Sequence, residues 1–271
     1  MDSYFLDKSC NIGKYRRLRH IFSDEKKCLI VPLDDSLISG PVKGLKHLDD
    51  KIKQIVSANP SALITYLGSA SLAKEYNIPI ILNISSSTTL SNHTNKVLIS
   101  SVEQAVAIDA DAVALHMNFS SKYESSMLKN IVEVKQKCDY YGMPLMILAY
   151  PRTEKYEGSA VLDDNYEDLK GIDPNAYAEK VCHCVRIAFE LGADIIKTHY
   201  TGSTETFKKV IDCAQGVPVV IAGGVEIDDN AVFKMVKSAM DAGAAGVSIG
   251  RNVFDKSNSD YMIQKISELI Y

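Results

Sequence analysis

The stretch PNAYAEKVCHCVRIAFELGADIIKTH (174–199) decides the fold. Its first part sets Ala178, Val181, Val185, Ile187, Ala188 and Leu191 mostly on one face of a helix, and Gly192 follows as a stop signal. The segment ADIIKTH (193–199) then turns apolar without alternation, as a strand covered on both faces does. The same scheme repeats outward in both directions. Strand candidates are CLIVPLD (28–34), ALITY (62–66), PIILNI (79–84), DAVALHM (111–117), MPLMILAY (143–150), VPVVIAG (217–223) and AGVSIG (245–250). With 193–199 they make eight. Helical patterns recur at 100–108, which opens on the N-cap signal Ser100-Ser101-Val102-Glu103, at 121–141 ending on Gly142, and at 229–242 before Gly243.

Eight strand-then-helix units without a linker or composition break predict one (β/α)8 TIM barrel over residues 1–271. An open doubly wound sheet is the alternative. Residues 1–27 precede the first strand as an N-terminal helical extension. Its basic run, Lys14 to Arg19, reads as a solvated helix closing the bottom of the barrel rather than a nucleic-acid contact. The net charge of -4 likewise lacks the basic excess of a nucleic-acid protein. No run approaches a membrane span, and the first twenty residues lack an apolar signal core. The six cysteines show no framework spacing and read as reduced thiols of a cytoplasmic protein.

In such a barrel the reacting groups come from the C-terminal ends of the strands. The residues there are Asp34 and Asp35, Asn83 with Ser85, His116 and Asn118, Tyr150, Lys197, Gly223-Gly224 and Gly250-Arg251. Lys197 is the outlier, because apolar neighbours desolvate its charged form and free the amine to attack carbonyls. A head group that simply reaches solvent is the plainer alternative. Tyr150 is either a core phenol or a proton relay beside a lysine. Asp34 and Asp35 are either loop caps or acid/base groups. Adjacent residues at a strand end point in opposite directions, so only one of the two is expected to face the mouth. The glycine turns after strands 7 and 8 suit a phosphate or are ordinary turns. Cys182-His183-Cys184 lies within a helix, where neighbouring side chains diverge and cannot share an ion. His116 and His199 end strands 4 and 6, but no third metal ligand stands out.

Several segments together resemble the class I aldolases of the archaeal fructose-bisphosphate aldolase type. That group includes 2-amino-3,7-dideoxy-D-threo-hept-6-ulosonate synthases and aldolases making aminohydroxybenzoate precursors. The carriers are GKYRRLRHIF (13–22), VPLDDSLISGP (31–41), NKVLISSVEQAV (95–106), DAVALHMN (111–118), MPLMILAYPR (143–152), GADIIKTHYTG (192–202), VVIAGG (219–224) and AGAAGVSIGRNVF (242–254).

The resemblance implies a (β/α)8 barrel, no metal or other cofactor, a Schiff-base lysine at Lys197, an acid/base tyrosine at Tyr150 and an aspartate at Asp34. It implies phosphate held at Gly223, Gly224, Gly250 and Arg251. Asp35 and His116 are expected as further substrate contacts. A phosphorylated small molecule is then the partner, and the ring-forming members of the family imply a homo-oligomer. The chain departs from the family in three ways. Asp34-Asp35-Ser36 stands where the family usually has Asp-His-Gly. Leu148 stands where the fructose-bisphosphate branch often carries Trp. An acidic segment, 153–173, follows Arg152 and is expected to act as a lid that shapes acceptor choice. The expected activity is aldol joining or cleavage of a ketose or triose phosphate and an aldehyde, preferably an amino-acid-derived one. Fructose-bisphosphate cleavage and a sugar-phosphate-binding barrel without catalysis are the alternatives.

Overall fold

The computed structural model describes residues 11–91, 93–157, 160–164 and 173–271. Eight parallel strands close into a barrel in chain order: β1 (Cys28–Pro32), β2 (Ala62–Thr65), β3 (Ile80–Asn83), β4 (Ala112–Phe119), β5 (Leu145–Pro151), β6 (Ile195–His199), β7 (Val219–Ala222) and β8 (Gly246–Ser248). All eight expected strands are present, and the open sheet is ruled out because β1 pairs with both β2 and β8.

Period-two alternation sorts each strand between two cores. Cys28, Ile30, Ala62, Ile64, Ile81, Ala114, Met146, Leu148, Ile195 and Val220 fill the barrel interior. Their sequence neighbours, such as Leu29, Val31, Leu63, Leu82, Val113, Ile147, Ile196 and Val247, pack outward against the helices. Both faces are therefore apolar, which is why the strands read as continuous apolar runs.

Helices Leu48–Ser57, Val102–Ala107, Glu124–Tyr141, Pro174–Glu190, Thr204–Cys213, Asp229–Asp241 and Ser259–Ile270 follow seven of the strands. After β2 the connection holds only Leu67–Ala70 and a turn of 3-10 helix, Ser71–Ala73. Asp173 caps the helix that starts at Pro174 by accepting from the backbone N–H groups of Asn175 and Ala176. Within that helix Cys182 is half-buried, His183 exposed and Cys184 buried, the divergence expected of adjacent helical positions. The cysteines among the described residues are free thiols.

The N-terminal extension forms helix α1 (Ile12–Ile21). Leu18, Ile21 and the following Phe22 enter the interior core beneath Cys28, Ala62 and Ala112, so α1 plugs the bottom of the barrel. Burying each contributes about 1.5–3 kcal/mol. The basic run is less solvated than expected. Lys14 Nζ donates to Asp139 Oδ1 at 2.7 Å and Asp194 Oδ2 at 2.8 Å, Arg17 donates to the carbonyls of Ala110 and Gly142, and His20 pairs with Asp111. Burial disfavours the Lys14 charge, but the two carboxylates outweigh it and raise the pKa.

Residues 153–173 were expected to be a lid loop. Within them Thr153–Glu157 and Ala160–Asp164 pair as an antiparallel hairpin. The rest of that expectation, on 158–159 and 165–172, lies outside the described residues. Among the described residues no helix is long and apolar enough to cross a membrane.

The seam between β8 and β1 closes on a glycine. A Cβ on Gly246 would sit 1.9 Å from the Cys28 carbonyl oxygen, and its φ of 150° disfavours any side chain. Gly246→Ala is expected to cost about 3 kcal/mol or more in urea unfolding. Gly68→Ala, in open space within a helix, is expected to be neutral or to stabilise by up to about 1 kcal/mol. Equal effects of the two substitutions would contradict this account of the seam.

Candidate active site

Lys197 sits two positions beyond the inward-facing Ile195, so the pleat carries it into the interior. It is 6% exposed and lines a cavity of about 280 Å³ at the C-terminal mouth of the barrel. Among the described residues none hydrogen-bonds its Nζ. Burial lowers its pKa from the usual 10.5, while Asp34 and then Asp35 oppose the shift.

Asp34, Asp35, His116, Tyr150, Gly223, Gly224, Gly250 and Arg251 all line this one cavity with Lys197. The expectation that only one aspartate faces the mouth is corrected. Strand β1 ends at Pro32, and Asp34 and Asp35 are the cap and first residue of a short helix, Asp35–Ser39, so strand alternation no longer separates them. Asn83 Nδ2 donates to Asp34 Oδ2 at 2.5 Å and fixes that carboxylate. Asp35 lies 3.9 Å from Arg251 Nε. Burial raises the Asp35 pKa, Arg251 opposes the rise and Asp34 adds to it.

Tyr150 is held by its ring. His199 stacks on it at 4.6 Å and 24°, and the Arg152 guanidinium lies 5.6 Å from the ring centre. Burial pushes the phenol pKa well above its ordinary value. His199 Nδ1 is 2.9 Å from the Tyr177 hydroxyl. His116 takes a different partner: Ser85 Oγ accepts from its backbone N–H at 2.8 Å and lies 3.2 Å from Nδ1. Ser85 N donates in turn to Asn83 Oδ1. Asp34, Asn83, Ser85 and His116 thus form one chain across β1, β3 and β4. Among the described residues no three His, Cys, Asp or Glu side chains converge as a metal site.

The glycine turns owe their glycines partly to packing. A Cβ on Gly223 would meet Ile249 Cγ2 at 2.9 Å, and one on Gly250 would meet Phe254 Cε1 at 2.9 Å and Pro32 Cγ at 3.1 Å. Gly224 alone of the three has a left-handed φ, 67°, with open space around it. Residues 28–256, which span the whole barrel, match the DeoC/LacD family of aldolases.

The chain belongs to the DeoC/LacD aldolase family. It is 34% identical over 262 residues to the 2-amino-3,7-dideoxy-D-threo-hept-6-ulosonate synthase of Halobacterium salinarum, covering 96% of this chain and 92% of that one. It is also 34% identical over 263 residues to the 2-amino-4,5-dihydroxy-6-oxo-7-(phosphonooxy)heptanoate synthase of Streptomyces griseus, covering 95% and 89%. Its fold matches an archaeal fructose-1,6-bisphosphate aldolase whose catalytic lysine is bound to the carbinolamine intermediate of its substrate. The TM-score there is 0.80 at 28% identity, over 96% of this chain and 100% of the other. The resemblance read from the sequence motifs is borne out.

Further residues of this aldolase line the cavity without having been singled out from sequence, among them His93, Lys96, Arg152 and Ser248. Ser248 is 1% exposed and its Oγ has no partner among the described residues, a buried hydroxyl on the cavity wall. The apolar run that contains Ser248 hid it. Lys96 and His93 belong to a loop, whose spatial neighbours no periodicity reveals.

Burial, and then the charges of Lys96, Lys197 and Arg152, hold His116 well below its ordinary pKa near 6.5. The folded chain therefore keeps His116 neutral in acid, whereas the unfolded chain protonates it. Stability is complete above pH 6.5 and falls as the pH drops below it, by up to about 1.4 kcal/mol per pH unit for this group. His116→Asn is expected to flatten the dependence of the urea midpoint between pH 6.5 and 5 by about one proton. An unchanged slope would show that His116 is not held neutral.

Proposed function

We propose that the chain is a class I aldolase in which Lys197 is the Schiff-base nucleophile. The observation that carries this is a lysine desolvated in the inner layer of a barrel, facing the same cavity as Asp34 and Tyr150, in a chain of an aldolase family. The Lys197 amine attacks the donor ketone carbon and the oxygen takes a proton. Loss of water gives an iminium that withdraws electrons from the adjacent carbon. Removal of a proton there forms an enamine, whose carbon attacks the aldehyde acceptor. The new alkoxide takes a proton, and hydrolysis of the iminium returns the amine and releases product. Tyr150 and Asp34 carry the protons. Gly223, Gly224, Gly250 and Arg251 hold the donor phosphate, with the Ser248 hydroxyl as an additional donor, and so fix the ketone over Lys197.

The acceptor is read from chemistry. In a 2-amino-4,5-dihydroxy-6-oxo-7-(phosphonooxy)heptanoate, such as the product named for the Streptomyces griseus relative, the C6 ketone and C4 hydroxyl are an aldol pair. Cutting the C4–C5 bond leaves a three-carbon ketone phosphate and a four-carbon 2-amino-acid aldehyde. Asp35, in the place where the resembling family has His, supplies a carboxylate for an acceptor amino group. Leu148 lines the cavity with a smaller side chain than the Trp of the fructose-bisphosphate branch. Both features favour a biosynthetic aldolase with an amino-acid-derived acceptor. The likeness to an archaeal fructose-1,6-bisphosphate aldolase supports cleavage of that sugar as the second reading. One domain over 1–271, a cytoplasmic location and a homo-oligomer complete the proposal.

Borohydride with dihydroxyacetone phosphate is expected to fix the donor on the peptide holding Lys197. The rate should rise with pH around a midpoint below 10.5. Lys197→Ala should abolish labelling, and labelling at another lysine, or none, would sink the proposal. Asp34→Asn should slow turnover roughly 10²–10⁴-fold. Asp35→Asn should instead shift KM and the preference between amino and non-amino aldehydes. Steady-state kinetics that reversed these two effects would exchange the assigned roles.

A further inference from the structure

Ser85 lies just past β3, is buried, and has no role in the proposed chemistry. Its hydroxyl meets two groups of one residue. Ser85 Oγ accepts from the His116 backbone N–H at 2.8 Å and lies 3.2 Å from Nδ1 of the same side chain. Among the described residues the hydroxyl meets no other group.

These contacts decide where the ring carries its hydrogen. With a hydrogen on Nδ1, the serine oxygen would accept twice and its own buried O–H would be left unmade. With Nδ1 bare, Ser85 Oγ donates to it and every group in the cluster is paired. The ring hydrogen is then on Nε2. A charged ring carries hydrogen on both nitrogens and fails for the same reason. Burial, and then the charges of Lys96, Lys197 and Arg152, disfavour that cation independently. Ser85 is itself anchored. Asn83 Nδ2 donates to Asp34, so Asn83 Oδ1 is the atom that accepts from Ser85 N at 3.2 Å. With Nδ1 turned to Ser85, Nε2 is the nitrogen left for the cavity that the ring lines.

Register says what this N–H meets. His116 on β4 and Lys197 on β6 both pair with Leu148 on β5, so the three form one row of the wall. Two strand spacings separate the backbones of His116 and Lys197 by roughly 9–10 Å, room for a ligand between the two heads. On its other side β6 pairs with β7. A donor with its phosphate on the glycine turns after β7 and β8 reaches Lys197 from that side. Its reacting carbon then turns towards β5 and β4, where His116 stands.

We propose that Ser85 is a positioning residue that holds His116 as the neutral Nε2–H tautomer, and that this N–H hydrogen-bonds the acceptor's aldehyde oxygen as it becomes an alkoxide. The proposal rests on the Schiff-base aldolase reading and adds to it a fixed donor two strands from the nucleophile. A neutral donor stabilises the growing charge without placing a cation beside the iminium. No proton leaves His116; the alkoxide still takes its proton from Tyr150 or Asp34.

Nitrogen NMR of the intact protein, labelled at histidine, reads the tautomer without any variant. At pH 7 the His116 ring, assigned by its disappearance in His116→Gln, should show a bare Nδ1 and a protonated Nε2. The opposite pattern, or hydrogen on both nitrogens, would overturn the tautomer. Ser85→Ala should turn this pattern into a mixture, and Ser85→Thr, which keeps the hydroxyl, should preserve it. An unchanged pattern in Ser85→Ala would remove the positioning role. Two rates with dihydroxyacetone phosphate then locate the contact. Exchange of its reacting-carbon proton with solvent deuterium needs no acceptor, and aldol turnover is followed with 2-amino-4-oxobutanoate and with glyceraldehyde 3-phosphate. His116→Leu should lower kcat for aldol turnover about 10²–10³-fold more than it lowers exchange, the scale of removing one such donor. His116→Gln, whose amide still donates, should recover much of that loss. Ser85→Ala should lower aldol turnover relative to exchange about 2–10-fold, and Ser85→Thr should restore it. Equal losses in exchange and in aldol turnover would overturn the contact with the aldehyde oxygen. No exchange, or no aldol product with either acceptor, in the wild type would instead overturn the aldolase reading beneath it.

Discussion

A strand that buries Ile195 inside a closed barrel must also send Lys197 inward, because side chains repeat every second residue. The proposed nucleophile therefore needs no loop to place it. Its amine is carried by the same pleat that builds the core, among Leu148, Tyr150 and Val220, and this apolar company disfavours its charge. The opposing pull of Asp34 and Asp35 keeps the shift from running further. The acid/base environment is set by how far along each strand the apolar inner layer stops.

That layer holds its place because both ends of the barrel are fixed. At the bottom, Leu18, Ile21 and Phe22 fill the opening, and Lys14 ties α1 to Asp139 and Asp194. At the seam, Gly246 lets β8 approach the Cys28 carbonyl closely enough to close the ring. Shifting β8 against β1 would move Ser248, Gly250 and Arg251 together, since they are the next inward positions and the turn that follows. Closure and the glycine side of the cavity are one constraint.

The barrel and its key lysine were legible because both rest on local regularity. The eight apolar runs needed only period and length, and Lys197 was conspicuous as a charge in an apolar run. The pair Asp34-Asp35 was misread for a physical reason. Alternation holds only while the backbone stays extended, and here it ends at Pro32 before both aspartates. The glycines were found, but part of their cause was not: Gly223 and Gly250 are small because Ile249, Phe254 and Pro32 occupy the space. Lys96 and His93 lie in a loop whose closeness to Arg152, 59 residues from His93, exists only after the barrel has closed.

The walls of the cavity are also stiff in unequal ways. On the β1–β4 side, Asp34, Asn83, Ser85 and His116 are linked by successive hydrogen bonds. On the β5–β6 side, Tyr150 is positioned by ring packing against His199, and its hydroxyl is not committed to that chain. The Asp34 carboxylate is fixed by the directed hydrogen bond from Asn83. A phenol held by its ring face keeps its position while its hydroxyl remains available to whichever oxygen, carbinolamine or alkoxide, next needs a proton. The two supports suit the roles proposed for Asp34 and Tyr150: a fixed base, and a donor that serves more than one oxygen in turn.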